Sequence, residues 1–192
     1  MNKIRIVLDT SIFVNPDARH FFGKTPKDAF TNFLGLIKEH KSLECFMPPS
    51  IFEELMKFIE GPISVEQTIG LTQKPPSSYE EKVPALFVYE FIEEMRNRIN
   101  KGLRISEKYC RKALHSETDD RKEETDIIKR LREEFRVALR EGVLDSKEDF
   151  DLLLLAKELK AAIATADNGL KDWAAKVGIR VLSAEELKEV IL

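Results

Sequence analysis

Residues 145–168 read DSKEDFDLLLLAKELKAAIATADN, and this stretch decides the fold. Ser146-Lys147-Glu148-Asp149 is a capping arrangement with acids in the first turn, and it predicts a helix start. The apolar run Leu152–Ala156 follows. Ala161–Thr165 predicts a short buried strand, and Asp167-Asn168-Gly169 a turn at its C-terminal end. Four aspartates, Asp145, Asp149, Asp151 and Asp167, thus gather around one helix and one strand. The helix macrodipole accounts for Glu148 and Asp149 but not for Asp151. Asp149 and Asp151 are two positions apart, so on a regular helix they face different ways. One of them is expected to line a site and the other to contribute from its rim.

A fifth aspartate lies far away in sequence. Ile4–Leu8 is a short, β-branched apolar run of the kind buried in a parallel sheet, and Asp9-Thr10-Ser11 follows it. In open α/β sheets, sites form outside the C-terminal ends of the strands. Alone, Asp9 would read as a cap or turn residue; the later carboxylates at equivalent places change that reading. Carboxylates held together raise one another's pKa unless a cation lies between them. Hard ions such as Mg²⁺ take oxygen ligands, few of them from protein. The expectation is a carboxylate-lined metal site.

The remaining elements follow from local signals. Thr25-Pro26-Lys27-Asp28 starts a helix whose Phe30, Phe33, Leu34 and Ile37 form one apolar stripe. Leu43–Met47 predicts a second strand, ended by Pro48-Pro49. Ser50-Ile51-Phe52-Glu53 has the form of a capping box opening a helix to about residue 59, which gives Glu53 a structural task. Glu54 falls in the inward sector of Ile51, Leu55 and Phe58, where an acid needs a partner. It reads either as a metal ligand or as a salt-bridged boundary residue. Residues 61–84 hold Pro62, Pro75, Pro76 and Pro84 and read as a linker or irregular loop with at most one short helix. Gly178–Leu182 predicts a last strand, and Ser183-Ala184-Glu185-Glu186 caps a terminal helix.

Between these halves the pattern changes. Val88, Phe91, Ile92, Met95, Ile99 and Leu103 mark one long helix, and Ile127, Ile128, Leu131, Phe135, Ala138 and Leu139 mark a second, a helical hairpin ended by Gly142. Lys101, Arg104, Lys108 and Arg111 share one helix face, with Lys112 beside them. Lys129, Arg132, Arg136 and Arg140 repeat the pattern on the second helix. Such stripes are either solvated surface or a phosphate-binding face.

Bulk composition narrows the class. The chain has 192 residues, 43% of them apolar, enough for one domain with a core and an appendage. With 31 basic and 34 acidic residues the net charge is −3, so any nucleic-acid contact rests on a local basic face. Cys45 and Cys110 form no CxxC pair, which argues against a disulfide framework and a cysteine zinc site. His20, His40 and His115 have no metal-ligand spacing. The longest aliphatic run, Leu152–Ala156, is far short of a membrane span. A cytoplasmic protein is expected.

Leu8-Asp9-Thr10-Ser11, Pro49-Ser50-Ile51-Phe52-Glu53-Glu54-Leu55, Asp151 followed by Ala156, and Thr165-Ala166-Asp167 resemble the PIN-domain nucleases. More narrowly, the spacing of Asp145, Asp149, Asp151 and Asp167 and the segment SKEDFDLLLLA resemble the minimal protein-only ribonuclease P family, once labelled RNA ligase partner proteins. The resemblance covers essentially the whole chain. It implies an α/β, PIN-like three-layer domain with a central parallel sheet, formed by residues 1–78 and 142–192. Residues 79–141 would be an inserted helical hairpin for RNA binding and oligomerisation. It implies Mg²⁺- or Mn²⁺-dependent removal of the 5′ leader of precursor tRNA by a homo-oligomer. The active-site acids would be Asp9, Asp145, Asp149, Asp151 and Asp167, with Glu54 at a further metal position. Asn168 stands where many PIN proteins place another aspartate.

Three rivals are weighed. A toxin-type PIN ribonuclease is usually shorter and lacks the hairpin. A non-catalytic RNA-binding partner of an RNA ligase would not need every core aspartate. An aspartyl phosphatase wants a second aspartate two residues after the first, where this chain has Ser11.

Overall fold

Ile6, Val7 and Leu8 are fully buried, while Ile4 and Arg5 at the start of the same strand are exposed. The strand therefore enters the core from the surface and delivers Asp9 at its inner end. A computed structural model describes residues 3–40, 42–64, 66–80, 82–114, 121–140 and 146–192, without the side chains of 121–123 and 140. Its strands are β1 (Ile4–Leu8), β2 (Leu43–Met47), β3 (Leu71–Gln73), β4 (Ala162–Ala164) and β5 (Val181–Leu182). The helices are α1 (Ser11–Val14), α2 (Pro16–Arg19), α3 (Pro26–Glu39), α4 (Pro49–Met56), α5 (Ala85–Leu114), α6 (Arg121–Arg140), α7 (Lys147–Leu159), α8 (Asn168–Lys176) and α9 (Ala184–Ile191).

The strands form one sheet in the order β3-β2-β1-β4-β5, and every pairing is parallel. Helices cover both faces, as an α/β fold requires of a parallel sheet. The order reverses between β1 and β4, where Val7 pairs with Ile163 and Leu8 with Ala164. That reversal is the switch point at which open sheets leave a crevice for ligands.

Helix α7 explains the unbroken run Leu152–Ala156. All five residues are buried, and the helix packs on β1 and β4. Each fully buried leucine contributes roughly 1.5–3 kcal/mol. The helix stops at Lys160, which takes a left-handed conformation (φ 51°) and lets Ala161 N–H bond back to the Ala156 carbonyl at 2.8 Å. On the α3 side, Phe13 meets Phe30 and Phe33 edge to face at 5.1 and 5.2 Å.

By internal contacts the chain forms two compact units, Met1–Lys82 with Leu144–Leu192, and Val83–Val143. In the second unit, Ile105 and Tyr109 of α5 pack with Ala138, Ile127, Leu131 and Phe135 of α6. Gly102 allows the closest approach: a Cβ there would lie 2.6 Å from the Phe135 ring. Glu134 accepts hydrogen bonds from Lys108 (2.6 Å) and the Tyr109 hydroxyl (2.9 Å), a polar tie across the two helices.

The structure departs from the sequence reading in several places. The stretch expected to be irregular contributes strand β3, an edge strand in which only Leu71 is buried. Helix α4 begins at Pro49, and Pro48, with no side chain able to cap, precedes it. Ser50 is therefore inside the first turn and makes no capping box, which frees Glu53 from that task. The turn expected at 167–169 is the start of α8, with Asp167 as its N-cap. On α5, Val88, Phe91, Ile92, Ile99 and Leu103 are exposed, and Phe87, Gly102, Ile105 and Tyr109 form the buried face. The long helix exists, but its apolar residues exceed one face.

Candidate active site

Two hydroxyls hold the switch point together. Thr165 follows β4 and is fully buried. Its hydroxyl donates to Asp9 Oδ2 at 2.6 Å and accepts from the Asp167 N–H at 2.9 Å. Ser11 also donates to Asp9 Oδ2 and accepts from the Ala166 N–H at 2.8 Å. The two hydroxyl oxygens lie 3.2 Å apart. Both bonds fall on the same oxygen of Asp9, and Oδ1 takes neither. The pair fixes Asp9 against the backbone that carries Asp167. Asp167 Oδ1 accepts the Leu170 N–H at 2.8 Å, so the start of α8 orients its carboxylate.

Asp9 is 6% exposed. Burial pushes its carboxyl above the ordinary range, and the Asp167 charge adds to this, against the hydrogen bonds of Ser11 and Thr165. A second tie runs to α4. The Thr10 hydroxyl lies 3.2 Å from Glu54 Oε2 and donates to it, and it stands 3.4 Å from the Ile51 carbonyl. That interaction supplies the partner a half-buried acid needs.

Asp9, Thr10, Ser11, Glu54 and Asp167 line a pocket of about 550 Å³. Of the acids expected at a site, Asp9, Glu54, Asp149 and Asp167 line it; Glu53 and Glu148 join them. Asp151 is half-buried and meets the pocket through Ser50, whose hydroxyl donates to Asp151 Oδ2 at 3.3 Å. Asp145 lies outside the described residues. Ser146 caps α7 by accepting the Asp149 N–H at 3.0 Å. The hydroxyls of Thr10, Ser11 and Thr165 are the functional groups that sequence reasoning missed; their signal is a hydroxyl residue beside an acid at each strand end. Glu148 is a further addition, since in the sequence the helix dipole alone explains it.

The basic residues of the hairpin line two separate depressions. Lys101, Arg104 and Lys108 of α5 stand with Glu134 of α6 in one. Lys129, Arg132 and Arg136 of α6 line the other, with no residue of α5. Lys108 is paired with Glu134 at 2.6 Å and Arg136 with Glu133 at 2.8 Å.

Among the described residues, no three acidic, histidine or cysteine side chains already stand as a metal cage. The pocket nevertheless offers, among the described residues, carboxylate and hydroxyl oxygens and no sulfur or imidazole. That donor set suits a hard ion that keeps most of its water and takes one or two carboxylates. The raised carboxyl of Asp9 beside Asp167 fits the same need, because a cation would offset both burial and repulsion.

Thr165→Val tests the hydroxyl tie. Val keeps the shape but removes one of the two hydroxyl donors to Asp9 Oδ2 and strands the Asp167 N–H, a loss of about 1–3 kcal/mol. A thermal melt of the metal-free protein should register it, and Thr165→Ser should recover most of it.

Comparison with known proteins agrees with this geometry. The family model described as PINc domain ribonuclease matches residues 5–192. A protein of Pyrococcus abyssi named RNA-free ribonuclease P is 47% identical over 190 residues, 98% of this chain and 91% of that one. Its namesake in Thermodesulfovibrio yellowstonii is 44% identical, over 99% of this chain and 94% of its own. The one in Haloarcula marismortui is 41% identical, over 98% and 90%. With a parallel sheet, acids at its switch point and likeness over nearly the full length, the chain belongs to the PINc-domain ribonucleases and, within them, to the RNA-free ribonuclease P family of endoribonucleases.

Proposed function

We propose that this chain removes the 5′ leader of precursor tRNA by hydrolysis, using Mg²⁺ or Mn²⁺ held by carboxylates at the β1–β4 switch point. The observation that carries the reading is that Thr165 ties buried Asp9 to the backbone of Asp167, in a pocket that among the described residues has no histidine or cysteine. When bound, the ion supplies charge neutralisation at the phosphate and lowers the pKa of water. Asp9, Asp151 and Asp167 are the core ligands in this reading, supported by Asp149, Glu54 and Asp145. Ser11 and Thr165 hold Asp9 through its Oδ2. Thr10 holds Glu54. No side chain is needed as nucleophile. The reaction takes place in the cytoplasm; among the described residues no helix is long and apolar enough to cross a membrane.

The hairpin, residues 79–141, binds the RNA and joins copies of the chain into a homo-oligomer. Two features support this: its basic stripes, Lys101, Arg104, Lys108, Arg111 and Lys112 with Lys129, Arg132 and Arg136, and the exposed apolar residues of α5. Because Lys108 is already paired with Glu134, α5 should contribute chiefly through Arg104, Arg111 and Lys112. Replacing those three with Ala should weaken precursor binding. Each lost phosphate contact should remove close to one unit from the slope of log affinity against log salt. An unchanged slope in a filter-binding titration would mark the stripe as solvated surface.

Incubation of the protein and Mg²⁺ with 5′-labelled precursor tRNA tests the main reading. One cut at the mature 5′ end is expected, with other folded RNAs left whole. Equal cutting of unrelated RNA would favour a general ribonuclease.

A further inference from the structure

One cation and one aromatic ring interrupt the acidic lining of the active-site pocket. Among the described residues its charged side chains are acids except for Lys57, and beside Lys57 stands Phe58. The end of α4 places them. Lys57 N–H bonds to the Glu54 carbonyl and Phe58 N–H to the Leu55 carbonyl, both at 3.0 Å. These i→i+3 bonds tighten the last turn. The tightening keeps Leu55 and Ile59 in the core and turns Lys57 and Phe58 outward.

Phe58 is 48% exposed. The other phenylalanines of its unit are buried or half-buried, so this is the one exposed phenylalanine there. An exposed ring forgoes burial that its neighbours obtain, and here it does so at the mouth of a pocket. Among the described residues, Lys57 takes part in no ion pair, although Glu53 and Glu54 precede it by four and three positions.

An acidic pocket repels RNA. A bound cation answers for the phosphate being cut, but not for the next phosphate along the strand or for its base. A lysine and a flat apolar face at the rim supply those two needs. The leader is unpaired, whereas the first bases of the acceptor stem are already stacked in a helix. A leader base is therefore free to lie on a protein ring, as the paired bases of the stem are not. Stacking also tolerates any base, as an enzyme facing many leaders requires.

We propose that Lys57 and Phe58 form a leader subsite: Phe58 stacks against the unpaired base next to the cut, and Lys57 takes a phosphate of the leader backbone. This rests on the precursor-tRNA reading above.

The test is a coupling experiment on the full chain. Precursor tRNA is made with a normal or an abasic nucleotide immediately before the cut, and single-turnover kcat/KM is measured for wild type, Phe58→Ala and Phe58→Tyr. Wild type should lose about tenfold on the abasic precursor, and Phe58→Ala about tenfold on the normal one. Phe58→Ala should lose nothing more on the abasic precursor, and Phe58→Tyr should behave as wild type. Multiplying losses would overturn the proposal, because a merely structural ring would not sense the missing base.

A second measurement does not depend on cleavage. Leader RNA carrying 2-aminopurine before the cut is bound to the Asp167→Asn protein. Its emission should be quenched, and the quench should vanish when Phe58→Ala is added; an unchanged quench would refute stacking. Lys57→Gln should lower the salt slope for leader binding by about 0.7 units, and no change would remove Lys57 from the subsite. If wild type cuts no precursor tRNA, the cleavage reading fails, and the quench still decides the subsite.

Discussion

Asp9→Asn and Asp167→Asn are each expected to lower cleavage by on the order of 10³-fold while leaving the fold intact. Loss of one carboxylate from a site that neutralises phosphate charge removes several kcal/mol of transition-state stabilisation. The fold should survive because Asn retains the contacts that matter structurally. In Asp9→Asn the amide oxygen can still accept from Ser11 and Thr165, and Asn is as good as Asp at capping α8 through Leu170 N–H. The metal-free Asp9→Asn protein should melt higher than wild type at neutral pH. In the folded chain the Asp9 carboxyl titrates above its ordinary value of 3.8, with burial the main cause. As pH rises from that value, the unfolded chain releases its proton first, so folding weakens until the folded carboxyl has also ionised. Asp9→Asn should lack that decline. Full activity in either variant, or a lower metal-free melting temperature in Asp9→Asn, would contradict the assignment.

The second large effect concerns assembly. Replacing Ile92, Ile99 and Leu103 with Gln should reduce the particle in light scattering toward the mass of one chain, 22.1 kDa. With Val88 these residues recur at helical spacing on α5, and all are exposed although α5 already has α6 as partner. In the proposed homo-oligomer this exposed apolar surface would be covered, and a stable interface buries about 1,200–2,000 Å² in total. A second copy of the same stripe, related by a two-fold axis, is the simplest cover. The variant should keep its catalytic unit and its response to Mg²⁺ but lose selective cutting of precursor tRNA. A wild type already at 22.1 kDa with full activity would remove the role given to the hairpin.

Much of the catalytic unit is legible in the sequence because its signals are local. Ile4–Leu8 and Leu43–Met47 are apolar runs, each broken only by one charged residue, Arg5 and Glu44, and Thr25 with Asp28 forms the capping box its residues announce. Leu152–Ala156 reads as buried because all sides of that helix meet protein. Strand β3 is not legible: it has three residues, one of them buried, and exists only by pairing with β2. The buried face of α5 is not legible either, since Phe91, Ile92 and Ile99 compete with Ile105 and Tyr109 for the inward direction. The acids of the site stand out as costly residues at strand and helix ends. Ser11 and Thr165 do not, because they are 154 positions apart and meet only when β1 and β4 pair. Ser50 misled for a related reason: its spacing to Glu53 suits a cap, but the helix starts at Pro49, two residues earlier than a Ser50 cap would place it.

The ends left by cleavage test the account most directly. Metal-stripped protein is mixed with precursor tRNA, Mg²⁺ is added, and the chemistry of both new termini is read. Water activated at a carboxylate-held ion should leave a 5′-phosphate on the tRNA and a 3′-hydroxyl on the leader, with no product before Mg²⁺ is added. A 2′,3′-cyclic phosphate on the leader, or the same cut in EDTA, would contradict it.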